Sequence, residues 1–408
     1  MLKSSYMNIF RRVYNGIKRR LDFSDAARIK RIVKNPPRVQ QDLILFTSSE
    51  DYSGNPKALF LYMIEHGYNE RYRFVWLFER RENYFEFDIP NVSSICMYKE
   101  GKERSFAAQK AALSARYLFY SHNLNWVRNF RNEQTYIDLW HGCGYKGELK
   151  RDKTKVYYDY LLVTGRKYID IFREVMNDPD GNIFDLGYPR NEFFTSSRSN
   201  AAAYMRSLKE KAGAEKTIIW MPTYRKSPVE RLSTDVQLGD TGLPVVYTDG
   251  DLQEIDDTCR KNGVLLIIKK HNLQTDYETA GTQLKSVVFA GSDTLRDEDV
   301  DLYEFMAQTD ALLTDYSSAA IDYLLLDRPI GYTLDDYDEY ESARGFSFEG
   351  VRDYMPGHHI CTTEDLEGFI EDIAKGSDPH REWRHKVLPE MQTYTDGFSR
   401  RILEYFDI

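Results

Sequence analysis

Short apolar runs alternate along this chain with longer stretches of helical periodicity. Asp42–Ser48 (DLILFTS), Tyr72–Phe78 (YRFVWLF), Ser93–Met97, Arg116–Ser121 (RYLFYS), Tyr136–Trp140 and Tyr160–Val163 have the length and aromatic or branched content of buried strands. Helical candidates lie between several of them, including Pro56–Glu65 and Ser105–Leu113. A polar, charged stretch near Ser196–Ala214 follows, and the pattern then restarts with Lys216–Met221, Val264–Ile268, Ser286–Ala290, Ala311–Thr314 and Pro329–Tyr332. Nearly continuous apolar strands joined by helices are the pattern of a parallel sheet covered on both faces. The expected fold is therefore α/β, with two Rossmann-like doubly wound domains in series, residues 39–195 and 196–408. There is no internal repeat and no low-complexity tract. In such sheets ligands bind beyond the carboxyl ends of the strands, so the residues just after each strand carry the functional reading.

Charge sharpens the picture ahead of the first strand. Residues 1–38 hold 11 of the 55 Lys and Arg and 2 of the 64 Asp and Glu, so a leader of +9 precedes a body of −18 within a chain of net −9. On a helix, Tyr6, Phe10, Val13, Ile17 and Leu21 form one stripe, while Arg11, Arg12, Lys18 and Arg19 fall on other faces. Such a segment can lie on an anionic membrane surface; an ordinary helix packing its stripe on the body is the alternative. Asn35-Pro36-Pro37 then separates the leader from the body. No run approaches the roughly 20 apolar residues of a membrane span, and the early basic residues break up any secretory hydrophobic region. An acidic body disfavours nucleic acid as a partner. Cys96, Cys143, Cys259 and Cys361 show no paired spacing, which predicts neither a zinc site nor a disulfide framework and fits a reducing cytosol.

Several strand ends carry candidate chemistry. Trp140-His141-Gly142-Cys143-Gly144 presents a histidine and bare backbone after a strand, and a neutral imidazole there could accept a proton from a hydroxyl nucleophile. A structural histidine is the alternative on these residues alone. Gly187-Tyr188-Pro189-Arg190-Asn191 reads as a turn. Pro222-Thr223-Tyr224-Arg225 and Lys269-Lys270-His271 end neighbouring strands with cations suited to phosphate. Thr314-Asp315-Tyr316-Ser317-Ser318 runs from a strand into an apolar helix, offering hydroxyls and backbone N–H groups to an anion. Asp322 follows on the same face, where a carboxylate could hold ribose; a capped core helix is the plain alternative. Neither a P-loop nor a dinucleotide fingerprint is present.

In this order, together with Asp322-Tyr323-Leu324-Leu325-Leu326-Asp327-Arg328-Pro329, Arg344-Gly345-Phe346 and the terminal Asp396-Gly397 with Ser399, Arg400 and Arg401, these segments resemble the CDP-glycerol glycerophosphotransferase family. That family comprises primases and polymerases of teichoic acids and some polyol-phosphate capsules, and the resemblance spans about residues 39–405. It implies a GT-B architecture, two Rossmann-like domains facing across a cleft, and peripheral attachment to the cytoplasmic face of the membrane through residues 1–34. The C-terminal helix is expected to pack back on the first domain. The implied reaction transfers a polyol phosphate, glycerol phosphate first, from a CDP-activated donor to a hydroxyl of a lipid-linked acceptor, releasing CMP. His141 takes the role of base and His271 that of a second catalytic histidine. Arg225, Lys269, Asp315, Ser317, Ser318 and Asp322 are implied for the CDP donor, with Gly142, Arg190, Asn191, Thr223 and Arg344 as further contacts. No cofactor and no metal are implied. Cys143-Gly144 and Asn272 depart from the family pattern; neither change removes a proposed catalytic side chain, and both are expected to reshape the acceptor or polyol pocket. A GT-B glycosyltransferase using a nucleotide sugar, and a silent membrane-associated scaffold, are the competing readings.

Overall fold

A computed structural model describes residues 24–48, 50–99, 103–122, 133–147, 158–223, 239–269 and 284–408. They form two compact units, one built from the chain up to His141 with Tyr157–Leu161, the other from Gly142–Val156 with Leu162–Ile408.

The first set of strands is β1 (Gln40–Phe46), β2 (Arg73–Phe78), β3 (Val92–Cys96), β4 (Ala115–Tyr120), β5 (Thr135–Asp138), β6 (Tyr160–Leu162) and β7 (Ile183–Phe184). Their order in the sheet is β3-β2-β1-β4-β5-β6-β7. The second set is β8 (Lys216–Met221), β9 (Val264–Lys269), β10 (Val287–Ala290), β11 (Ala311–Thr314), β12 (Ile330–Thr333) and β13 (His358–Ile360), in the order β10-β9-β8-β11-β12-β13. The pairings of β1 with β2 and β4, and of β8 with β9 and β11, are parallel. Both sheets therefore reverse strand order beside their first strand, at β1/β4 and at β8/β11. Those are the topological switch points where a doubly wound sheet opens to ligand.

Burial on both faces explains why the strands read as apolar runs. On one face of the first sheet Leu43, Leu45, Val75, Leu77 and Leu118 join a core with Ala108 and Ala112 of the helix Phe106–Ser114. On the other, Phe46 stacks on Trp76 at 5.8 Å and on Phe119 at 5.5 Å, with Phe60 edge-on at 5.4 Å. In the second unit Ile218, Trp220, Leu266, Ile268 and Leu313 pack against helices Asp249–Asn262 and Thr363–Lys375 through Leu252, Ile255, Leu366 and Phe369.

Three local expectations differ from the structure. The run ending at Trp140 stops as a strand at Asp138. The polar stretch near Ser196–Ala214 contains a helix, Ala201–Ala212, closed by a left-handed Gly213; only Ala201 and Met205 are buried, so its sequence has little apolar periodicity. The short β7 and β13 are too brief for a strand pattern to register.

The leader's apolar stripe, Tyr6 to Leu21, lies outside the described residues. Its later part is the helix Asp25–Lys34, capped by Ser24, and it is docked on the first unit. Buried Asp25 accepts from the Phe106 N–H at 2.9 Å and pairs with Lys99 at 2.7 Å, bonds that hold its carboxyl below the usual range. Arg28 lies over the Phe106 ring at 3.7 Å, while Lys30, Arg31, Lys34 and Arg38 stay exposed. No helix among the described residues is long and apolar enough to cross a membrane.

Candidate active site

At the end of β5 in the first unit the backbone turns sharply. Trp140 adopts φ +53°, a left-handed conformation costly for a bulky side chain, and an outlier of this kind persists only when its surroundings enforce it. Here they do: Asp138 Oδ1 accepts from the Trp140 N–H at 2.8 Å. Buried Asn55, at the start of the helix Gly54–Glu65, donates to the carbonyls of Leu139 and Trp140, each at 2.9 Å. The turn delivers His141 exposed beyond the sheet, stacked on His122 at 4.3 Å, with Nδ1 3.1 Å from the Ser121 carbonyl oxygen. A carbonyl can only accept, so Nδ1 donates in this contact, and in the neutral form of the ring the lone pair lies on Nε2. That is the tautomer a general base requires. Asn55, Ser121 and His122 were not singled out from sequence. His122 is a strand-end histidine and legible as such; Asn55 lies about 84 residues from its partners and left no local signal.

In the second unit the switch point is tied shut by side chains. Asp315, fully buried after β11, accepts from the Thr223 N–H at 2.8 Å and from the Thr223 hydroxyl, and Thr314 Oγ1 donates to the Met221 carbonyl at 2.7 Å. Asp315 and Thr223 thus join the ends of β8 and β11. Tyr316 donates to Asp336 at 2.9 Å and packs on Tyr340 and Phe346. Ser317 and Ser318 follow, half-buried, and the hydroxyl of Ser318 has no hydrogen-bond partner among the described residues.

The glycine loop 142–147 closes over this segment. Gly142 has φ +154°, and a Cβ there would overlap the Ser318 hydroxyl and lie 3.6 Å from Arg190 NH2. A Cβ on Gly144 would sit 3.2 Å from the Ser318 nitrogen. The loop is clamped from its other side by the Arg344-Gly345-Phe346 segment: the Gly147 N–H donates to Gly345 O at 2.9 Å and Ser347 Oγ donates to Gly144 O at 2.9 Å. Arg344 Nε is buried without a hydrogen-bond partner among the described residues.

Arg190 and Asn191 converge on Asp322. Arg190 NH2 donates to Oδ2 at 2.6 Å, Asn191 Nδ2 to Oδ1 at 3.2 Å, and Tyr303 OH to Oδ2 at 2.6 Å. Both oxygens of the carboxylate expected to hold ribose thus have protein donors. Burial opposes the charge on Arg190, but Asp322 outweighs it and raises the guanidinium pKa. Tyr303 carries no sequence motif and could not be found locally. The turn that bears Arg190 is pinned by the C-terminal helix Phe398–Tyr405: Phe398 packs on Gly187 and Ser399 donates through N–H and hydroxyl to Glu192 at 2.9 and 2.7 Å. Lys269 lies half-buried at the end of β9. Arg225 and His271 lie outside the described residues. Among the described residues no cluster of His, Cys, Asp and Glu could hold a metal ion.

Two parallel doubly wound units, one with a histidine beyond its sheet and the other with a hydroxyl-rich turn at its switch point, define the class as a doubly wound α/β protein. The chain belongs to the CDP-glycerol:poly(glycerophosphate) glycerophosphotransferase family, whose model matches residues 28–406. It is 24% identical over 396 residues to a teichoic acid poly(glycerol phosphate) polymerase of Staphylococcus epidermidis, covering 89% of this chain and 48% of that one. It is 27% identical to the polymerase of the same description from Bacillus spizizenii, covering 85% and 86%. A teichoic acid glycerol-phosphate transferase of Staphylococcus aureus is 24% identical, covering 96% and 99%. The chain thus spans about half of the first relative and nearly all of the third. In fold it is similar to the wall teichoic acid polymerase TagF, with TM-score 0.72, 21% identity and coverage of 98% and 97%, which makes the architecture GT-B. A putative UDP-N-acetylglucosamine 2-epimerase from Listeria monocytogenes has TM-score 0.52 at 13% identity, so the fold is shared with other chemistry.

Proposed function

We propose that this chain transfers glycerol phosphate from CDP-glycerol to a hydroxyl of a lipid-linked polymer or primer, in teichoic-acid-type synthesis. The family match over residues 28–406 supports the reaction class, and three relatives with glycerol phosphate in their names favour glycerol over ribitol. A TagF variant has been soaked with CDPG, which supports the donor class. The observation that carries the reading is the 3.1 Å contact of His141 Nδ1 with the Ser121 carbonyl oxygen beyond the Asn55-braced turn, which leaves Nε2 to act as the base.

In the proposed step the acceptor oxygen bonds to the donor's β-phosphorus as its proton passes to His141 Nε2. The bond from that phosphorus to the bridging oxygen breaks, and its electron pair leaves on CMP. His271 and Arg225, with Lys269, neutralise charge on the phosphoryl oxygens and the leaving group, the kind of electrostatic help that often dominates catalysis. Ser317 and Ser318 hold the diphosphate, and Gly142 and Gly144 admit it by having no side chains. A leader held at an anionic bilayer would keep the enzyme near a lipid-anchored acceptor. Because the helix Asp25–Lys34 is docked on the body, residues 1–23 are the ones to test.

Purified protein incubated with CDP-glycerol, CDP-ribitol and UDP- or GDP-sugars, with a lipid-linked acceptor, should release CMP, and fastest from CDP-glycerol. Release of UDP or GDP instead would replace this reading with a glycosyltransferase. Removing residues 1–23 should abolish binding to anionic vesicles; retained binding at moderate salt would overturn the membrane role.

A further inference from the structure

We propose that His122 is a positioning residue for His141 and that the two rings titrate as a pair, an inference that rests on the reading of His141 as the base. The two histidines come from neighbouring strands. β4 and β5 pair in parallel with Tyr120 opposite Asp138, and the Leu139 N–H donates to the Tyr120 carbonyl at 2.7 Å. The residues just beyond each strand therefore leave the sheet side by side. His122 and His141 meet there with ring centroids 4.3 Å apart and planes inclined by 16°. Ser121 supports both rings: its carbonyl oxygen is 3.1 Å from His141 Nδ1, and its hydroxyl oxygen is 3.2 Å from His122 Nδ1. The Trp140 ring lies 4.2 Å from that of His141, tilted by 34°.

His141 is exposed, and holding an exposed side chain adds little to stability. An unheld imidazole turns easily about its broad second torsion. Here the Ser121 carbonyl fixes one nitrogen and the stack fixes the plane, so the direction of Nε2 is set before an acceptor arrives. Proton transfer depends on such orientation. A phenylalanine at position 122 would stack as well, but an imidazole adds a second proton site. Two positive rings at this separation repel, so a proton on either one resists a proton on the other. As pH falls the first proton is shared between the rings, and a fraction of His141 stays neutral below the pH at which a lone histidine would be lost. Other charged groups are close by. Asp138 is bonded to the Trp140 N–H, and Lys57, in the first turn of the helix Gly54–Glu65, lies 5.4 Å from the Tyr52 ring centre. Wild type and His122 variants have these charges in common, so their effect cancels in a comparison.

The test uses the full chain and two pH profiles: kcat/KM for CDP-glycerol, and the rate at which diethyl pyrocarbonate acylates His141, read by peptide mass mapping. The reagent attacks the neutral imidazole, so it reports the basic form of His141 without the reaction. His122→Phe keeps the stack and removes the second proton site. Its kcat near pH 8 should stay within about threefold of wild type, while the acid limb of both profiles moves up by about 0.3–1 pH unit, for two rings of similar proton affinity. His122→Ala loses the stack too, and should lower kcat about tenfold with KM for CDP-glycerol within about twofold. Wild-type kcat in His122→Ala would overturn the positioning role. An acylation profile unmoved in His122→Phe would overturn the pairing, and that variant decides it even if His122→Ala does not fold. A shifted acylation profile beside an unmoved turnover profile, or in a protein that does not consume CDP-glycerol, would keep the pair and defeat the reading of His141 as the base.

Discussion

His141 Nδ1 lies 3.1 Å from the carbonyl oxygen of Ser121, a residue 20 positions earlier at the end of the neighbouring strand. In this contact Nδ1 donates, and in the neutral ring the basic lone pair lies on Nε2. His141→Ala should lower turnover by at least about 100-fold, the low end for acid–base catalysis, with KM for CDP-glycerol little changed. Single-turnover CMP release measures it; a matching loss of donor affinity would move His141 into donor binding.

The turn before His141 depends on Asn55. Replacing Asn55 by Ala leaves two buried carbonyls without their donor, which should cost about 1–3 kcal/mol in chemical denaturation. With the strained Trp140 released, the histidine is no longer held, so turnover should fall further than the loss of stability accounts for. An active enzyme with only reduced stability would show that the turn does not position the base.

Asp322→Ala strands Arg190 as an uncompensated buried charge, and should destabilise the protein by about 3–5 kcal/mol. Arg190→Met combined with Asp322→Leu removes both charges at similar volume, and should recover much of that stability without recovering turnover. Denaturant midpoints and CMP release, measured on the same preparations, separate the two effects.

A histidine cluster in the second unit sets a pH limit on stability. His358 and His380 face each other at 4.7 Å, and His359 lies 5.6 Å from Trp383. Burial holds all three below their ordinary value near 6.5. Like-charge neighbours add to this: His380 acts on His358, His359 on His380, and Arg352 on His359. Asp372 and Asp378 act in the opposite sense without prevailing. The unfolded chain takes up these protons first as pH falls, so the stabilisation is complete above about pH 6.5 and is lost below it toward the folded values. Thermal unfolding should be easier at about pH 5.5 than at about pH 7.5, and His380→Asn should flatten that dependence.

The four thiols should react in an order set by burial. Cys143 is buried, and desolvation pushes its thiol up to about 12 despite a 3.0 Å contact with the Tyr188 hydroxyl. Cys259 is buried and raised as well, while Cys361 is exposed and Cys96 half-buried. A thiol reagent near neutral pH should label Cys361 first, and Cys143 and Cys259 only on unfolding; peptide mapping reads the order.

Sequence legibility followed the range of each interaction. Lys216–Met221 and Ala311–Thr314 were legible to the residue, because a strand buried on both faces writes an unbroken apolar run. His141, Asp315, Ser317 and Ser318 were visible because strand ends announce where a doubly wound sheet meets its ligand. Helix Ala201–Ala212 was not, since its exposed face dominates its composition. Tyr303 and Asn55 were not either, because nothing adjacent to them in the chain depends on them.

The chain by itself determined two parallel sheets, the segregation of charge into a basic leader and an acidic body, and the motif set that places it in its family. These follow from periodicity and local order, which neighbouring residues encode. Only the tertiary structure decided which nitrogen of His141 faces the Ser121 carbonyl, that Asp322 meets Arg190, Asn191 and Tyr303, and that the bare backbone of Gly142 and Gly144 makes room for Ser318. Each of those joins groups 19 to 132 or more residues apart, and such distances close only once the strands have assembled.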